Sequence, residues 1–346
     1  MAAYISFQPS DFFSTTLYEG NSSTNAITGV GFQPDFTWIK NYNAAASFAL
    51  QDAARGNDRT IRSNNDGVGY TNSFFDSFDS DGFTVSTSEN DVNASGDDFV
   101  AWNWKGGTTS GIATNGSTTI TPTAYSFNQT SGFSVVKYTG NTTSGAKVAH
   151  GLGATPTCIM TKNLNSAENW FVYFVTTTNG KYLLLDANSS TTTSATAWND
   201  TDPDSVNFTL GSSAQSNGTS MVAYCFAPKK GFSKMGGYYG NGVADGPFIY
   251  TGFRPAFIMC KKTNGAANWH MYDNKRSVTG FNVIGGKLVA NENDAQAVGT
   301  ECDFVSNGVK IRASGSDLNE ADYQFVYIAF AEFPFVSSNS KAGVAR

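Results

Sequence analysis

The sequence has 346 residues and a formal net charge of −6, and charged side chains make up only 14% of it. Proteins bind nucleic-acid phosphates through basic surfaces, so this charge balance argues against a nucleic-acid partner. No run of about 18 apolar residues occurs, and we therefore expect no membrane span. The hydrophobic fraction of 40%, with 27 Phe, 15 Tyr and 6 Trp, is large enough for an extensive core.

The first predicted strand follows a turn signal within residues 31–40. The Gly at its start permits a positive φ, and the Pro three residues later fixes φ and lacks an N–H donor. Apolar residues then alternate, which is typical of a strand with one face on a core. The same frame recurs at residues 153–162 and 252–261, and each copy ends in Lys nine residues after the Gly. The alternating core positions of the three predicted strands are Phe36, Trp38, Cys158, Met160, Phe257 and Met259.

Further segments repeat on both sides of this strand. A Tyr-x-Gly-Asn segment precedes it at residues 18–21, 138–141 and 238–241. Each copy also closes with three alternating apolar residues. The closing segments lie at 100–104, 222–226 and 326–330.

The complete repeat is about 100 to 120 residues long, which is the size of a domain rather than of a solenoid repeat. We therefore predict an all-β chain of three tandem antiparallel β-sandwich repeats with a jelly-roll-like fold. The predicted boundaries are 1–109, 110–229 and 230–346. The Gly- and Thr-rich stretch at 106–123 has the composition of a linker.

An Asp and an Arg three residues apart recur in the first and third copies. Asp52 is followed by Arg55, and Asp273 is followed by Arg276 at the matching position. A structural ion pair explains this repetition better than catalysis does. We therefore expect each Asp to contact its Arg or the strand-ending lysine of its own copy. Those lysines are Lys40 and Lys261.

Catalytic carboxylates are the alternative interpretation of these acidic residues. Asp52, Asp273 or Glu332 could form the carboxylate pair of a glycoside hydrolase, because an all-β enzyme assembles such a pair from distant strands. Spacing along the sequence does not exclude this. A polysaccharide-degrading enzyme therefore stays an alternative.

Other catalytic and ligand-binding patterns are incomplete. The two histidines, His150 and His270, do not recur between copies and leave few residues for a catalytic triad or a metal site. Residues 76–82 resemble a calcium loop, but Ser88 occupies the position that needs a bidentate Glu. The Gly residues at 151–153 begin a dinucleotide pattern, yet a strand follows rather than a helix. We predict no catalytic residues, no cofactor, no metal and no enzyme activity.

The cysteines lie mostly in strand patterns and lack CxxC spacing. This arrangement favours free buried thiols over disulfides or a metal site. The four residues concerned are Cys158, Cys225, Cys260 and Cys302.

Exposed aromatic side chains are the remaining route to a binding surface. Trp198 stands alone in the polar stretch at 189–204 and is the first candidate. Tyr238 and Tyr239 are further candidates, since amphipathic aromatic side chains are frequent at interfaces. The leader before Tyr18 is expected to lead into the first domain or to dock on a neighbour. The tail after Pro334 is expected to be a loose end or an arm that orders on a partner.

Several motifs together resemble a known family. The chain carries Phe-Gln-Pro-Ser-Asp-Phe at 7–12, Gly-Val-Gly-Phe-Gln-Pro-Asp-Phe-Thr-Trp-Ile-Lys at 29–40, Ser-Gly-Asp-Asp-Phe-Val-Ala-Trp-Asn-Trp-Lys at 95–105, and His-Gly-Leu-Gly at 150–153 with Pro156. These segments resemble repeat domains in virion proteins of tailed bacteriophages, usually tail-fibre or tail-associated proteins. The resemblance covers nearly the whole chain and implies a β-sandwich domain without known catalysis.

This resemblance predicts a non-enzymatic structural protein of the virion, assembled in the host cytoplasm. We expect a tail-fibre, tail-tip or receptor-binding component, with other virion proteins as partners and a host-surface glycan as a candidate ligand. We expect a virion appendage to form a symmetric homo-oligomer, and a trimer is the favoured form. A capsid decoration protein of the head surface and a polysaccharide-binding or -degrading tail protein stay alternatives.

Overall fold

The computed structural model describes residues 5–71, 74–276 and 282–334. Antiparallel sheets dominate this part of the chain, which confirms the all-β prediction. Its helices are single turns: α1 (Ala195–Trp198), α2 (Ala214–Asn217), α3 (Ser316–Asn319) and the 3₁₀ turns Pro9–Asp11 and Val175–Thr177. Within the described residues, no helix has the length and apolar character needed to cross a membrane.

The first unit contains a six-stranded sheet, sheet 1, and a three-stranded small sheet. Its strands are β1 (Phe13–Glu19), β2 (Asn25–Ile27), β3 (Phe36–Asn41), β4 (Ala49–Asp52), β5 (Gly56–Ile61), β6 (Tyr70–Thr71), β7 (Ser77–Asp79), β8 (Gly82–Val85) and β9 (Asp98–Trp104). Sheet 1 has the order β1-β9-β3-β4-β5-β6, and the small sheet has the order β2-β8-β7. The closing strand β9 therefore pairs with the repeated strand β3.

The second unit contains a seven-stranded sheet, sheet 2, and a two-stranded small sheet. Its strands are β10 (Ala124–Asn128), β11 (Phe133–Tyr138), β12 (Ala146–Ala149), β13 (Cys158–Asn163), β14 (Phe171–Phe174), β15 (Lys181–Leu184), β16 (Thr192–Thr193), β17 (Asn207–Leu210) and β18 (Met221–Phe226). Sheet 2 has the order β10-β11-β18-β13-β14-β15-β16, and β12 pairs with β17.

The third unit forms one eight-stranded sheet, sheet 3. Its strands are β19 (Ser233–Tyr239), β20 (Phe248–Tyr250), β21 (Phe253–Lys262), β22 (His270–Asp273), β23 (Val283–Val289), β24 (Ala297–Val305), β25 (Gly308–Ile311) and β26 (Gln324–Pro334). The order is β19-β26-β21-β22-β23-β24-β25-β20. Strands β23 and β24 thus join the large layer to the β25-β20 pair that is separate in the other units.

The repeated strands lie in equivalent settings in the three sheets. Each is paired on one side with the closing strand of its unit and on the other side with the strand that follows it. The registers agree as well: Phe36 lies opposite Trp104, Cys158 opposite Phe226 and Phe257 opposite Phe330. The pattern that recurs in the sequence therefore corresponds to a recurring strand environment.

One hydrophobic cluster joins all three large sheets, and the six predicted core residues belong to it. Trp104 shows how the sheets meet. Its ring centroid lies 5.0 Å from that of Phe36 in sheet 1, 6.2 Å from Phe226 in sheet 2 and 5.4 Å from Phe330 in sheet 3. The repeated faces therefore pack on one another in a common core rather than in three separate ones.

The opposite face of each large sheet packs beneath the second layer of its own unit. In the second unit, Val136 and Ile159 of sheet 2 cluster with Val148 and Phe208 of the small sheet. Every residue of β3 and of β13 is consequently buried. The sequence pattern predicts one buried face, and the second layers bury the other face as well.

The aromatic leader closes the arrangement by joining the first unit to the third. Phe7 and Phe12 lie 5.4 and 6.3 Å from the ring of Phe232, between centroids. Phe13 stacks on Phe330 at 5.0 Å. The start of the described chain is thereby fixed to the unit farthest from it in sequence.

Candidate functional site

Three lysines at the ends of the repeated strands are completely buried where the large sheets meet. Lys40, Lys162 and Lys261 have no exposed surface. Each lies an even number of residues after the alternating core positions, so its side chain leaves the strand on the face of the common core. A buried ammonium group is costly unless hydrogen-bond acceptors surround it.

Backbone carbonyl oxygens supply those acceptors. In each unit, the ammonium group donates to the carbonyl six residues further along the chain. These carbonyls belong to Ala46, Glu168 and Ala267. Each lysine therefore fixes the position of the loop that follows its own strand.

Each ammonium group also donates to a carbonyl of another unit. Lys40 binds Asn293 O at 3.3 Å, Lys162 binds Asp66 O at 2.8 Å and Lys261 binds Asn188 O at 2.9 Å. The first unit thus bonds to the third, the second to the first and the third to the second. The three bonds form a closed cycle, which a linear row of domains could not make.

Burial lowers the pKa of each of these lysines to about 8. The carbonyl oxygens oppose that shift, because they accept hydrogen bonds from the charged form. At neutral pH the lysines therefore hold their protons. In this state each ammonium group links the two loops whose carbonyl oxygens it binds.

The predicted Asp–Arg ion pairs exist, and each also receives a hydrogen bond from the next unit. Asp52 is paired with Arg55 within the first unit, and its carboxylate accepts a bond of 2.6 Å from the Tyr224 hydroxyl of sheet 2. Asp273 is paired with Arg276 at 2.7 Å and accepts a bond of 3.2 Å from Trp102 Nε1 of sheet 1. The prediction that each Asp contacts its Arg is confirmed.

The third equivalent position carries no charged side chain. Phe174 replaces the Asp, Thr177 replaces the Arg, and Ile328 replaces the Tyr or Trp donor, as the strand registers show. Phe174 and Ile328 both belong to the common core. The Asp, the Arg and the hydrogen-bond donor are thus all absent from this position. No buried charge is therefore left without a partner there.

The Tyr-x-Gly-Asn segments form a further contact that is the same in all units. The tyrosine hydroxyls donate to the carbonyls of Val92, Ser216 and Leu318 at 2.7, 2.6 and 2.9 Å. The asparagine N–H groups donate to the side chains of Asn93, Asn217 and Asn319 at 3.0, 2.8 and 2.8 Å. A Cβ on any of the three glycines would overlap the backbone of the facing loop, which explains why the segment needs Gly.

A family model described as a domain of unknown function, DUF7483, matches residues 8–334. The chain belongs to the DUF7483 family. The match spans all three large sheets, so the family is defined over the whole three-unit arrangement. No curated protein and no solved structure matches the chain.

Trp198 does not lie on the surface of this DUF7483 chain, and its prediction as a surface binding residue is wrong. It is 1% exposed, with its ring 5.9 Å from that of Tyr173. The surrounding loop is polar, but Ser194 caps the short helix α1 by accepting a bond from Thr196 N–H. That turn directs Trp198 into the core of the second unit.

The two tyrosines of the predicted surface site lie on opposite faces of β19. Tyr238 is 9% exposed because it is the tyrosine of a Tyr-x-Gly-Asn segment and its ring stacks on Phe325 at 5.0 Å. Its prediction as a surface residue is wrong. Tyr239 is 66% exposed.

The histidines and the acidic residues considered for catalysis make structural contacts. His150 is buried, its Nδ1 accepts a bond from Leu152 N–H, and burial lowers its pKa. His270 lies 3.4 Å from Asp317. Glu332 is paired with Arg254 at 2.8 Å, while Asp52 and Asp273 are held in the pairs above.

The calcium-like loop is part of a β-hairpin, and the cysteines are buried free thiols. Residues 76–82 contain strand β7 and the turn of the β7–β8 hairpin, where Asp79 accepts bonds from Ser77 and Thr84. Across the described residues, no group of three His, Cys, Asp or Glu side chains is placed to hold a metal ion. All four cysteines are free and buried, which confirms the thiol prediction.

Only some of the residues that join the units could be predicted from the sequence. The lysines carry a signal, because they recur in register with the core positions. Their acceptors across the junctions, at Asp66, Asn188 and Asn293, are backbone atoms of loops and carry no side-chain signal. The predicted tail after Pro334 lies outside the described residues.

Proposed function

We propose that this chain is a non-enzymatic structural protein of a tailed-bacteriophage virion, located in the tail as a fibre, tail-tip or receptor-binding component. The observation that carries the proposal is the closed cycle of lysine–carbonyl bonds between the units. The most strongly repeated polar residues serve to fix a shape. The segments at 7–12, 29–40 and 95–105 resemble repeat domains of phage virion proteins, and this resemblance is the reason for assigning the chain to a virion.

We further propose that the three units are copies of one β-sandwich of jelly-roll-like type, with boundaries near those expected from the sequence. Two features support this. The repeated and closing strands pair in the same register in every unit, and each large sheet is covered by a second layer on its outer face. The chain would then be assembled in the host cytoplasm and act in the virion.

We propose that the three units of a single chain form the threefold arrangement that three copies would form in the predicted homotrimer. The apolar faces that three separate copies would bury against each other are already buried in the common core. A symmetric partner in the virion would therefore meet three similar units from one polypeptide. The homotrimer stays the competing prediction, and the mass of the purified protein in solution distinguishes the two.

Peptide mass spectrometry of purified particles, followed by cryo-electron microscopy, tests the location. The proposal expects peptides of this chain in the particle and density of three similar lobes on the tail. Density on the head shell would replace the tail assignment by capsid decoration. Absence of the chain from purified particles would overturn the virion assignment.

Activity is tested separately by incubating the purified chain with capsular polysaccharide from the host. The proposal expects an unchanged size distribution of the polymer in size-exclusion chromatography. Depolymerisation that persists after Asp52→Asn and Asp273→Asn substitution would point to other carboxylates. Any depolymerisation by the wild-type chain would refute the non-enzymatic assignment.

A further inference from the structure

A small crevice opens where the first unit meets the second. Its volume is about 90 Å³, which holds a few water molecules or one small ionic group but not a drug-sized ligand. The first unit contributes Arg55 and Arg59 to its wall. The second unit contributes Lys137, Asn165 and Ser220. We call this space the junction crevice.

The strand pattern directs two of these cations toward the junction. Arg59 lies two residues before Ile61 on β5. Lys137 lies two residues after Val135 on β11. Both Ile61 and Val135 belong to the common core. Side chains two residues apart leave a strand on the same face, so Arg59 and Lys137 lie at the edge of that core, one from each unit.

The positive charges of the junction crevice are only partly neutralised. Arg55 is paired with the buried carboxylate of Asp52. Within the described part of the chain, no carboxylate lines the crevice, and neither Arg59 nor Lys137 forms an ion pair. The chain has 28 acidic residues against 22 basic ones, so carboxylate partners are not scarce. Two like charges that border one small space repel each other unless an anion lies between them.

The fold does not require the lysine. The residues in register with Lys137 in the other units are Leu17 and Gly237. A basic residue thus occurs at this place only in the unit that faces Arg59. Its presence is better explained by the crevice than by the strand.

The corresponding crevice between the second and third units supplies a comparison. Lys181 is the counterpart of Arg59, four residues after Thr177, and it lines that crevice. The described side chains that the third unit contributes there are neutral. The combination of unpaired cations from two units therefore distinguishes the junction crevice from its counterpart.

Two neutral polar side chains lie beside the cations. Asn165 is exposed and Ser220 is half-buried. An amide and a hydroxyl both donate and accept hydrogen bonds, so they suit a ligand that carries hydroxyl groups close to its charge. Sugar acids and sugar phosphates have this arrangement. An acidic peptide side chain presents its carboxylate at the end of a methylene chain and would leave the amide and the hydroxyl unmatched.

We propose that the junction crevice binds the carboxylate or phosphate group of an acidic sugar. Arg59 and Lys137 bind the anionic oxygens, and the planar guanidinium suits either group. Asn165 and Ser220 bind neighbouring sugar hydroxyls. As part of a receptor-binding surface the crevice rests on the proposed function. Binding of a free acidic sugar by the purified chain does not depend on where the chain lies in the particle.

Saturation-transfer-difference NMR on the purified full chain tests the site. The probes are the methyl glycoside of glucuronic acid and glucose 6-phosphate at millimolar concentration, and the methyl glycoside of glucose is the neutral control. We expect transfer to at least one acidic probe, with the neutral control binding about tenfold more weakly. Binding of only one acidic probe supports the proposal and identifies the group as carboxylate or phosphate. Transfer to neither, or equal binding of the neutral control, would overturn it, whatever the location of the chain in the virion.

A glutamate blocked at both main-chain termini separates the sugar from an acidic peptide. It carries the carboxylate without hydroxyl groups and should bind about tenfold more weakly than the better acidic sugar. Equal or tighter binding of the blocked glutamate would assign the crevice to an acidic protein segment and overturn the sugar proposal.

Substitutions then place the bound group. Arg59→Gln and Lys137→Leu should each weaken binding of the acidic sugar about tenfold. Lys137→Leu copies the residue of the first unit and should fold normally, as circular dichroism checks. Lys181→Gln removes the same charge at the corresponding crevice and is the matched control, which should bind like the wild type. Unchanged binding by both Arg59→Gln and Lys137→Leu, or an equal loss in Lys181→Gln, would overturn the proposal.

Discussion

The ammonium group of Lys261 donates a hydrogen bond of 2.9 Å to the backbone carbonyl of Asn188, and this bond ties sheet 3 to a loop of the second unit. Replacing Lys261 by Met keeps most of the side-chain volume but removes the donor. The carbonyls of Asn188 and Ala267 then lose a buried partner. We expect the free energy of unfolding to fall by about 1 to 3 kcal/mol.

Urea unfolding followed by tryptophan fluorescence measures this change. Lys147→Met is the matched control, because this half-buried lysine lies on β12 in the small sheet of the second unit. Its substitution should alter the stability by less than about 0.5 kcal/mol. Equal effects of the two substitutions would show that the bond across the junction contributes nothing.

The lowered pKa of the buried lysines predicts a dependence of stability on pH. In the unfolded chain a lysine titrates near about 10.4, whereas Lys162 in the folded chain has a pKa of about 8. Between these values the unfolded state binds more protons, so the contribution of Lys162 to the free energy of unfolding rises with pH. We expect the stability of the wild type relative to Lys162→Met to increase from about pH 8 to about pH 9.5.

Urea titrations of both proteins at matched pH values give this difference. Titration of other groups, such as tyrosines, is common to both proteins and cancels. A difference that stays constant over the range would mean that the carbonyl oxygens hold the pKa of Lys162 near its ordinary value.

The sequence predicted the repeated strands well because their signal is local. Alternation at Phe36 and Trp38, together with the preceding Gly and Pro, specifies a strand without knowledge of its neighbours. The Asp52–Arg55 pair was predictable for a related reason, since a repeated pair of opposite charges three residues apart has few other uses. Both inferences needed only residues close together in the chain.

The failures concern burial that depends on distant segments. Trp198 stands in a polar stretch, and the single helical turn that buries it is too short to leave a periodic pattern. The junction between units depends on the carbonyl of Asn188 or Asp66, and every residue has a carbonyl.

The buried Asp–Arg pair of the first unit can be compared with its uncharged counterpart in the second. Asp52→Ala leaves Arg55 charged and unpaired in the interior and removes the acceptor of Tyr224. Removing one partner of a buried pair is strongly destabilising, and we expect a loss of about 3 to 5 kcal/mol.

The uncharged counterpart supplies the matched control. The triple variant Asp52→Phe, Arg55→Thr and Tyr224→Ile carries the residues found at the third equivalent position. Replacing a buried ion pair as a whole by apolar residues is often neutral or stabilising. We expect the triple variant to be much more stable than Asp52→Ala in thermal unfolding. A triple variant as unstable as Asp52→Ala would show that the charges make a contribution that packing cannot replace.

The burial of the four thiols can be tested by their reactivity in the folded protein. Burial raises the pKa of Cys158, Cys225, Cys260 and Cys302, so little thiolate forms at neutral pH. We expect no reaction with a disulfide reagent such as dithionitrobenzoate in buffer and reaction of all four thiols in denaturant. Rapid reaction of any thiol in the folded protein would show that its strand opens to solvent.

Asn319 fixes the loop facing the third Tyr-x-Gly-Asn segment through four side-chain hydrogen bonds. Its oxygen accepts from Asn241 N–H at 2.8 Å, and its amide donates to the side-chain oxygen of Asn241 at 2.9 Å and to the carbonyls of Val243 and Ala313 at 2.7 and 2.8 Å. The side chain is completely buried. Asn319→Ala removes all four bonds at once, and we expect a loss of about 3 kcal/mol in the free energy of unfolding.

Asn264→Ala is the control, since this exposed asparagine accepts a single bond, from Gln324 N–H at 2.9 Å. It should change the free energy of unfolding by less than about 0.5 kcal/mol. Hydrogen exchange at the Asn241 amide should also accelerate in Asn319→Ala while the amides of β21 stay protected, because the loop loosens before the sheet does. Unchanged exchange at Asn241 would mean that the tyrosine and the glycine of the segment hold the loop without the asparagine.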